Sequence, residues 1–284
     1  MSRKLKQNLE VEQALARDHN RKAWDKMVVD KRCFTKPAKD EDLHDPLSTI
    51  DAQGWLGGNI ANQQVLCLAA GGGRQSAIYA AAGANVTVVD ISPAMLELDR
   101  QVAQQRGFEL RIVEASMDDL SVFSNAEFDI VIQPVSTCYL PNITPVVMEV
   151  ARILRSSGIY ISQHKQPTSL QTSLQRSENG WTLDQPYYCS GPLPMLPMNQ
   201  GQGSRLREEG TREYLHRWED ILGGMCRAGF VIEDFIEPFH ADPDAVRSSF
   251  GVRCHFTAPY MRIKARRSSE VAASNNKPPL VIPD

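Results

Sequence analysis

The sequence predicts an α/β protein built on a doubly wound, mostly parallel sheet. Three observations favour this fold class. Apolar runs alternate with helical patterns between residues 64 and 163. The runs at 64–69, 86–90 and 128–132 are apolar almost throughout, as expected of parallel strands that are covered on both faces. Their spacing leaves room for one helix between successive strands, which is typical of right-handed crossover units.

The first crossover unit carries the clearest local signals. The strand 64–69 runs into a glycine-rich turn, and the helix that follows ends at Gly83, a typical left-handed cap. The second strand ends on Asp90, 19 residues after Gly71. Glycine allows a ligand to approach the backbone because it has no Cβ, and a carboxylate at this position can accept hydrogen bonds from ribose hydroxyls. The arrangement is typical of a unit that binds an adenosine-containing cofactor.

The later elements are marked by helix caps and by apolar runs. Ser92 is a good N-cap residue, Pro93 suits the first helical position, and Gly107 ends this helix. Another helix begins at Thr144, and we expect Gly158 to end it. A short helix is expected over 217–228, and the two strands after it are too close in sequence for a crossover helix, which favours an antiparallel hairpin. The strands expected beyond the second are 109–114, 128–132, 159–163, 230–236 and 256–264.

The first 60 residues are interpreted as an N-terminal helical cap. Residues 5–30 have apolar positions at helical spacing, with a break expected near Asn20. The domain that contains the sheet is then expected to span 61–266.

Two further segments differ from the core in composition. Residues 166–205 are rich in Ser, Gln, Pro and Gly, and a lid inserted after the fifth strand is expected over about 166–215. Residues 206–216 alternate like a strand. The tail 267–284 is rich in Ser, Ala, Asn and Pro, and we expect it to be disordered.

Composition and charge argue against several function classes. The 284 residues carry a net charge of −3, so no basic field is available for a nucleic-acid partner. No apolar stretch approaches the ~20 residues that span a bilayer, so no membrane partner is expected. The six cysteines include no Cys-x-x-Cys pair, which speaks against a metal cluster and favours a reducing, cytoplasmic location.

Over roughly residues 60–265 the chain resembles the class I S-adenosylmethionine-dependent methyltransferases. Ala69, Gly71 and Gly73 occupy the three glycine positions of the family's first motif, and Asp90 matches the ribose-binding acid. The resemblance implies S-adenosylmethionine as the cofactor. It also implies a seven-stranded sheet of order 3-2-1-4-5-7-6 whose last strand is antiparallel.

Three later segments extend the resemblance, and two positions depart from it. Residues 116–120 resemble the turn that covers the adenine, 154–158 the turn before the fifth strand, and 228–230 the turn into the penultimate strand. Cys67 stands where the family usually has an acidic residue. The segment 133–136 lacks the Asn/Asp-Pro-Pro-aromatic sequence of enzymes that methylate nucleic-acid bases, which argues against adenine or cytosine as the substrate.

The resemblance also implies which residues hold the cofactor. The glycine turn is expected to face its amino-acid end and ribose, Asp90 to bind the ribose hydroxyls and Ile91 to pack on the adenine. Met117 and Asp118 are expected at the adenine edge, and Gln133 and Pro134 beside the transferring methyl. The full expected set is Ala69, Ala70, Gly71, Gly73, Asp90, Ile91, Met117, Asp118, Gln133 and Pro134.

Two side chains at the carboxyl edge of the sheet are candidates for catalysis. His164 is the expected proton acceptor if the nucleophile is a hydroxyl, because an unperturbed imidazole titrates near neutral pH; an ordinary polar loop residue is the alternative. Tyr139 is expected either to contact the acceptor or to fill the lid. Trp181, Tyr187 and Tyr188 favour an apolar or aromatic small-molecule acceptor. Methyl transfer by direct displacement is the expected reaction.

Two other functions remain open from the sequence. An NAD-linked oxidoreductase would use the same kind of unit, although its fingerprint Gly-x-Gly-x-x-Gly/Ala fails at Ser76. A non-catalytic S-adenosylmethionine-binding protein is the second. The sequence gives no indication of the oligomeric state.

Overall fold

The computed structural model describes residues 3–196, 205–246 and 249–269. The expected lid therefore lies partly, and the expected disordered tail largely, outside the described residues. The helices are α1 (Arg3–Val29), α2 (Asp40–His44), α3 (Pro46–Ile50), α4 (Gln75–Ala81), α5 (Pro93–Arg106), α6 (Thr144–Ile153), α7 (Pro167–Gln171), α8 (Gly224–Arg227) and α9 (Phe250–Arg253). The strands are β1 (Gln64–Leu68), β2 (Asn85–Asp90), β3 (Leu110–Glu114), β4 (Phe128–Gln133), β5 (Leu154–Lys165), β6 (Phe230–Ile236) and β7 (Tyr260–Arg267).

The seven strands form one sheet in the order β3-β2-β1-β4-β5-β7-β6. Neighbours from β3 to β5 are parallel, and β7 runs antiparallel to both β5 and β6. The expected fold class, the sheet order and the antiparallel last strand are confirmed. The order reverses direction between β1 and β4, which is where open α/β sheets bind their ligands.

The central strand β1 divides the core into two layers. Val65 and Cys67 belong to the apolar cluster that includes Tyr79 of α4 and Leu96 of α5. Leu66 and Leu68 pack in the opposite cluster, with side chains of α6 and α8. These four side chains of β1 are fully buried. A strand covered on both faces needs no polar alternation, which explains the continuous apolar run in the sequence.

The predicted helix caps are confirmed. The Ser92 hydroxyl accepts a hydrogen bond from the Met95 amide at 3.1 Å, and Pro93 begins α5. Gly83 and Gly107 have φ of 85° and 70°, the left-handed conformation that glycine adopts without a steric penalty.

The prediction that Gly158 ends a helix and precedes the fifth strand is wrong. Helix α6 already ends at Ile153, and β5 begins at Leu154 and runs to Lys165. Its register against β4 shifts between Phe128 and Ile130. The family-like turn 154–158 is thus a local irregularity inside a longer strand.

Two other local expectations are also wrong. Helix α1 continues through Asn20 without a break, because the Asn20 side chain bonds to other segments and does not compete for its own helix backbone. Residues 206–216 form no strand of the sheet; only an isolated bridge joins Tyr214 to Pro192. Their polar side chains pair with one another and with Lys165, which produced the misleading alternation.

Candidate functional site

A cavity of about 550 Å³ lies at the carboxyl edge of the sheet, where the strand order reverses. A volume of this size is typical of small-ligand sites, which span about 300–1,000 Å³. The sequence candidates that line it are Ala69, Ala70, Gly71, Asp90, Ile91, Met117, Pro134 and Tyr139. The candidates Gly73, Asp118, Gln133 and His164 are not among the lining residues.

The glycine turn and Asp90 form one hydrogen-bonded unit at the β1–β2 end of the cavity. Oδ2 of Asp90 accepts from the Gly71 amide and Oδ1 from the Ser92 amide, each at 2.9 Å. A Cβ at Gly71 would lie 3.0 Å from the Asp90 Cβ and 2.8 Å from that of Met95, so only glycine fits there. Burial raises the pKa of Asp90 above its ordinary value. The carboxylate is therefore fixed in direction and kept largely out of water, as a ribose-binding acid requires.

The other two motif positions have structural explanations. Ala69 has φ of 49°, a left-handed conformation that explains why the family has glycine there. A Cβ at Gly73 would lie 2.8 Å from the Leu98 carbonyl oxygen, so this glycine lets the turn pack against α5.

Asp99 of α5 supports the same turn and was missed by sequence reasoning. Its Oδ2 accepts from the Gly72 amide at 2.9 Å, and Oδ1 accepts from the Ser76 hydroxyl. The side chain is fully buried, and burial raises the pKa of Asp99 to about 6. Asp99 lies on the buried face of α5 with Met95, Leu96 and Val102. Its hydrogen-bond partners lie 23 and 27 residues away, so the local pattern did not identify them.

The side chain of Gln75 provides a direct test of whether the cavity fits the amino-acid end of S-adenosylmethionine. Gln75 lines the cavity at the start of α4, and its Oε1 is buried without a hydrogen-bond partner among the described residues. An orphaned buried acceptor is costly unless a ligand supplies a donor. An ammonium group at this position would satisfy it, and Lys36 and Arg74 line the same end with charges suited to a carboxylate. The residues present fit the cofactor.

The expected adenine region is apolar where it faces the cavity. Ile91, Met95, Ala115 and Met117 line this part. Gln133 lies behind it; its Nε2 donates to Ser136 Oγ at 2.9 Å and contacts Met117 Sδ at 3.2 Å. Gln133 therefore orients Met117 and Ser136 from the layer behind the cavity, while its neighbour Pro134 is part of the cavity lining.

Asp118 anchors α1 over the cavity. Its Oδ2 accepts from Gln13 Nε2 at 2.6 Å and from the guanidinium of Arg17, and Oδ1 accepts from Ser116 Oγ. The carboxylate is nearly fully buried. It is committed to α1, so its predicted contact with the adenine edge is not supported by its position.

Two further polar side chains hold α1 in place. Asn20 Nδ2 donates to the carbonyl oxygens of Tyr139 and Arg212, each at 2.9 Å, and its Oδ1 accepts from the Arg212 amide at 2.8 Å. Asp25 accepts from Ser92 Oγ at 2.6 Å. Helix α1 therefore contributes Arg17, Asn20 and Trp24 to the cavity lining.

His164 is buried in the layer behind the cavity. It is 2% exposed, its Nδ1 lies 2.8 Å from Thr137 Oγ1 and its Nε2 lies 2.9 Å from Ser162 Oγ. Burial, with a smaller contribution from His216, lowers the pKa of His164 to about 3. Both ring nitrogens are committed to neighbours, so the geometry gives the predicted proton-acceptor role no support.

A buried charged network lies at the opposite end of the cavity from Asp90 and was not foreseen from the sequence. Glu208 Oε2 accepts from Lys165 Nζ at 2.6 Å and from the Tyr139 hydroxyl at 2.9 Å. Lys165 also pairs with Glu213, at 3.0 Å, which in turn pairs with Arg207. Glu208 and Tyr139 line the cavity, whereas Lys165 and Glu213 do not.

The aromatic residues expected around the acceptor lie elsewhere. Trp181, Tyr187 and Tyr188 are absent from the cavity lining; Tyr188 is largely exposed and Trp181 packs against Phe256. Trp24 and Tyr260 line the cavity in their place. Trp24 comes from the predicted helical cap, and Tyr260 comes from the predicted last strand.

Within the described ranges, no group of three or more His, Cys, Asp or Glu side chains could hold a metal ion. Among the helices of the described ranges, none combines the length with the apolar character that a membrane span requires. All six cysteines are free thiols.

Comparison with known proteins agrees with this site. A family model described as a methyltransferase domain matches residues 66–162. A Bacillus subtilis (strain 168) protein, named as the uncharacterized methyltransferase YbaJ, is 32% identical over 233 residues, which cover 77% of this chain and 89% of that protein.

Solved structures share the fold at low sequence identity. An S-adenosylmethionine-dependent methyltransferase from Mesorhizobium loti superposes with a TM-score of 0.61 at 18% identity, covering 79% of this chain and 100% of the other. Geranyl diphosphate C-methyltransferase from Streptomyces coelicolor A3(2), solved with S-adenosyl-L-homocysteine, gives 0.54 at 14% identity, covering 82% and 90%. The relative in Bacillus, the domain match and the sheet order together establish that the chain belongs to the class I S-adenosylmethionine-dependent methyltransferases.

Proposed function

We propose that this protein transfers the methyl group of S-adenosylmethionine to a small-molecule acceptor by direct displacement. One observation carries the proposal: a single cavity joins the fixed carboxylate of Asp90 at one end to the polar side chains of Tyr139 and Glu208 at the other. A nucleoside held at the first end directs the rest of the cofactor towards the second.

The contacts described above support the following proposed roles of the cofactor residues. Asp90 binds the ribose hydroxyls, the turn at Ala69, Ala70 and Gly71 faces the amino-acid end, and Gln75 accepts a hydrogen bond from the ammonium group. Ile91 and Met117 cover the adenine, and Pro134 lies beside the methyl group. When bound, the cofactor supplies an electrophilic methyl carbon on a sulfonium.

The contribution of the chain to the reaction is positioning and exclusion of water. Holding two reactants in line can supply about 7–11 kcal/mol of a barrier. Helix α1 contributes to both because Arg17, Asn20 and Trp24 cover the cavity, and Asp118 fixes the helix there. We propose that residues 1–60 act as a cap on the methyltransferase domain in this sense.

The covered cavity also favours a small acceptor over a macromolecule. Trp24 and Phe34 stand over the cavity, and Arg205, His240 and Tyr260 line its far side. A polymer would have to displace α1 and its buried polar contacts. The net charge of −3 gives a nucleic-acid strand no attraction.

Calorimetry with S-adenosylhomocysteine tests the cofactor assignment. Wild type is expected to bind it and not to bind NADH, and Asp90→Asn is expected to weaken binding by tenfold or more, because the amide replaces one hydrogen-bond acceptor with a donor. Asp234→Asn is the matched control, since Asp234 lies on β6 and bonds to Trp55 Nε1 at 2.9 Å, outside the cavity lining.

The outcomes separate the alternatives. Equal affinity of wild type and Asp90→Asn would contradict the ribose assignment, and preferential binding of NADH would favour the oxidoreductase. A labelled-methyl assay distinguishes an enzyme from a non-catalytic binding protein, since the latter binds S-adenosylhomocysteine but transfers no label.

A further inference from the structure

The end of the cavity remote from Asp90 is built around one buried carboxyl group. The Glu208 side chain is only 10% exposed, yet it reaches the cavity from the segment between β5 and β6. Within the described part of the chain, both hydrogen bonds of its carboxylate, from Lys165 and Tyr139, go to Oε2. The second oxygen, Oε1, is therefore left for a ligand in the cavity.

The charges of Glu208 and of the group behind it are balanced. Lys165 and Glu213 are fully buried, and Arg207 pairs with Glu213 at 3.2 Å. Two cations and two carboxylates thus form a neutral group, which makes it possible to keep Glu208 ionised inside the protein. A buried ionic network that stops at a cavity wall is more than packing requires, because replacing it by apolar residues is often neutral or stabilising.

The neighbours of Glu208 indicate what kind of group it faces. Arg205 lines the same end of the cavity, and Lys165 lies directly behind the carboxylate, so a cationic acceptor would meet two like charges. An anionic acceptor would meet Glu208 itself. Trp24, Tyr139 and Tyr260 add aromatic surface. An uncharged molecule that carries a hydroxyl group on an apolar body fits this end best.

We propose that Glu208 is the proton acceptor of the reaction and that the methyl acceptor is a small hydroxyl compound, a phenol or an alcohol. The inference rests on the proposed methyl transfer and assigns to Glu208 the role that the sequence suggested for His164. Tyr139 and Lys165 are positioning residues, since they hold Oε2 and leave Oε1 facing the acceptor.

The step balances without any further reactant. The hydroxyl oxygen forms the new bond to the methyl carbon while the bond from that carbon to sulfur breaks, and the electron pair stays on sulfur. The O–H proton passes to Glu208 Oε1. The cationic sulfonium and the anionic carboxylate are replaced by a neutral thioether and a neutral carboxylic acid.

The activity should accordingly depend on pH through Glu208. The pKa of this carboxyl is raised, mainly by burial and also by Glu213, and Lys165 and the Tyr139 hydroxyl offset part of that rise. The other titratable or charged side chains of this cluster are Cys138, Tyr260, Arg205 and Arg207. Since the ionised form accepts the proton, kcat falls as the pH drops through this pKa. This fall in kcat is the acid limb of the pH profile. Removing the Tyr139 hydroxyl raises the pKa of Glu208 further and shifts the acid limb to higher pH.

The test uses the full chain, labelled S-adenosylmethionine and five ring-matched probes: phenol, benzyl alcohol, aniline, thiophenol and benzoate. Wild type is expected to methylate phenol or benzyl alcohol. Glu208→Gln is expected to lower kcat by about 10²–10⁴-fold, to lose the acid limb and to bind S-adenosylhomocysteine within twofold of wild type. Tyr139→Phe is expected to lower kcat less than Glu208→Gln does and to shift the limb to higher pH.

Glu213→Gln is the matched comparison, because it removes a carboxylate from the same Lys165 but does not line the cavity. It is expected to lower stability and to retain the acid limb. A structural role for the network would make the two variants lose activity in proportion to their loss of stability, and that result would overturn the proposal.

The remaining outcomes are equally decisive. Unchanged kcat in Glu208→Gln, or transfer only to aniline, thiophenol or benzoate, would overturn the assignment. So would failure of the wild type to methylate either hydroxyl probe while S-adenosylhomocysteine still binds. Loss of S-adenosylhomocysteine binding by the wild type would contradict the proposed function instead, which keeps the two failures distinguishable.

Discussion

The Gly71 amide donates a hydrogen bond to Oδ2 of Asp90 across 2.9 Å, joining the ends of two adjacent parallel strands. The bond fixes the carboxylate towards the cavity that both residues line. It also requires the two backbones to approach so closely that no side chain fits between them. The glycine motif and the acid of the second strand are thus one structural unit.

The first prediction concerns Gly71→Ala. The new Cβ would lie 2.8 Å from Met95 Cβ and 3.0 Å from Asp90 Cβ and Cγ, so the turn must move. Such overpacking costs about 1–3 kcal/mol. We expect a lower free energy of unfolding and at least tenfold weaker binding of S-adenosylhomocysteine, measured by urea unfolding and calorimetry.

Gly224→Ala is the matched control for this change. Gly224 has helical dihedral angles, and a Cβ there meets nothing within 4 Å. Alanine in a helix is more stable than glycine by about 0.5–1 kcal/mol, so this variant should gain stability and bind the ligand normally. If the two variants behave alike, the close approach at Gly71 is not what fixes the turn.

The sheet could be predicted from the sequence because the signals that mark its strands and helices are local, such as caps, or continuous, such as apolar runs. The buried run of β1, the N-cap at Ser92 and the left-handed glycines at 83 and 107 each report on their immediate surroundings. The beginning of β5 was mispredicted because helix α6 and the strand join directly at Ile153 and Leu154, with no glycine or proline between them. A single sequence reveals the boundary between two elements only where such a local signal marks it.

The second prediction concerns Asn20→Ala in α1. The side chain satisfies the carbonyl oxygens of Tyr139 and Arg212 and the Arg212 amide while being 3% exposed. Each buried group left unsatisfied costs about 1–3 kcal/mol. We expect a loss of several kcal/mol in the free energy of unfolding and faster hydrogen exchange in α1 and in the backbone around Arg212.

Arg21→Ala provides the comparison on the same helix. The Arg21 side chain is 39% exposed and reaches Asp18 only at 3.5 Å, so its removal should change stability by less than about 0.5 kcal/mol. Hydrogen exchange that accelerates equally in both variants would show that α1 is held by its general packing and not by Asn20.

The site was predictable where the family motif is local and not where it depends on long-range packing. Asp90 and Ile91 follow directly from the end of the second strand. Glu208 lies 43 residues from Lys165, and Asn20 lies 192 from Arg212, in segments without a periodic pattern. His164 and Glu208 could not be ranked from the sequence, because which polar residue faces the cavity depends on how the segment after β5 folds back.

The third prediction uses Trp24 as a reporter of ligand binding. Its ring meets that of Tyr139 edge-on, with centroids 5.8 Å apart and planes at 80°, and both side chains line the cavity. S-adenosylhomocysteine should change the tryptophan fluorescence of the wild type, and Trp24→Phe should lose most of that change while keeping an aromatic contact with Tyr139. Trp218→Phe is the control, because Trp218 packs on Phe235 outside the cavity lining; a signal that survives in Trp24→Phe and disappears in Trp218→Phe would place the ligand elsewhere.

The last prediction concerns the acid sensitivity conferred by His164. Burial lowers its pKa to about 3 in the folded protein, whereas the unfolded chain has the ordinary value of 6.5. The neutral form is the one that folding favours, so its contribution to stability is complete above pH 6.5 and is lost as the pH falls towards 3. Between pH 7.5 and 5 the free energy of unfolding should therefore fall by about 2 kcal/mol more in the wild type than in His164→Gln, which can still bond to Thr137 and Ser162.

His216 is also buried with a lowered pKa and is present in both proteins, so the difference isolates His164. Urea unfolding at the two pH values measures it, with the exposed His44→Gln as control; parallel losses in wild type and His164→Gln would mean that water or a proton reaches the imidazole in the folded state.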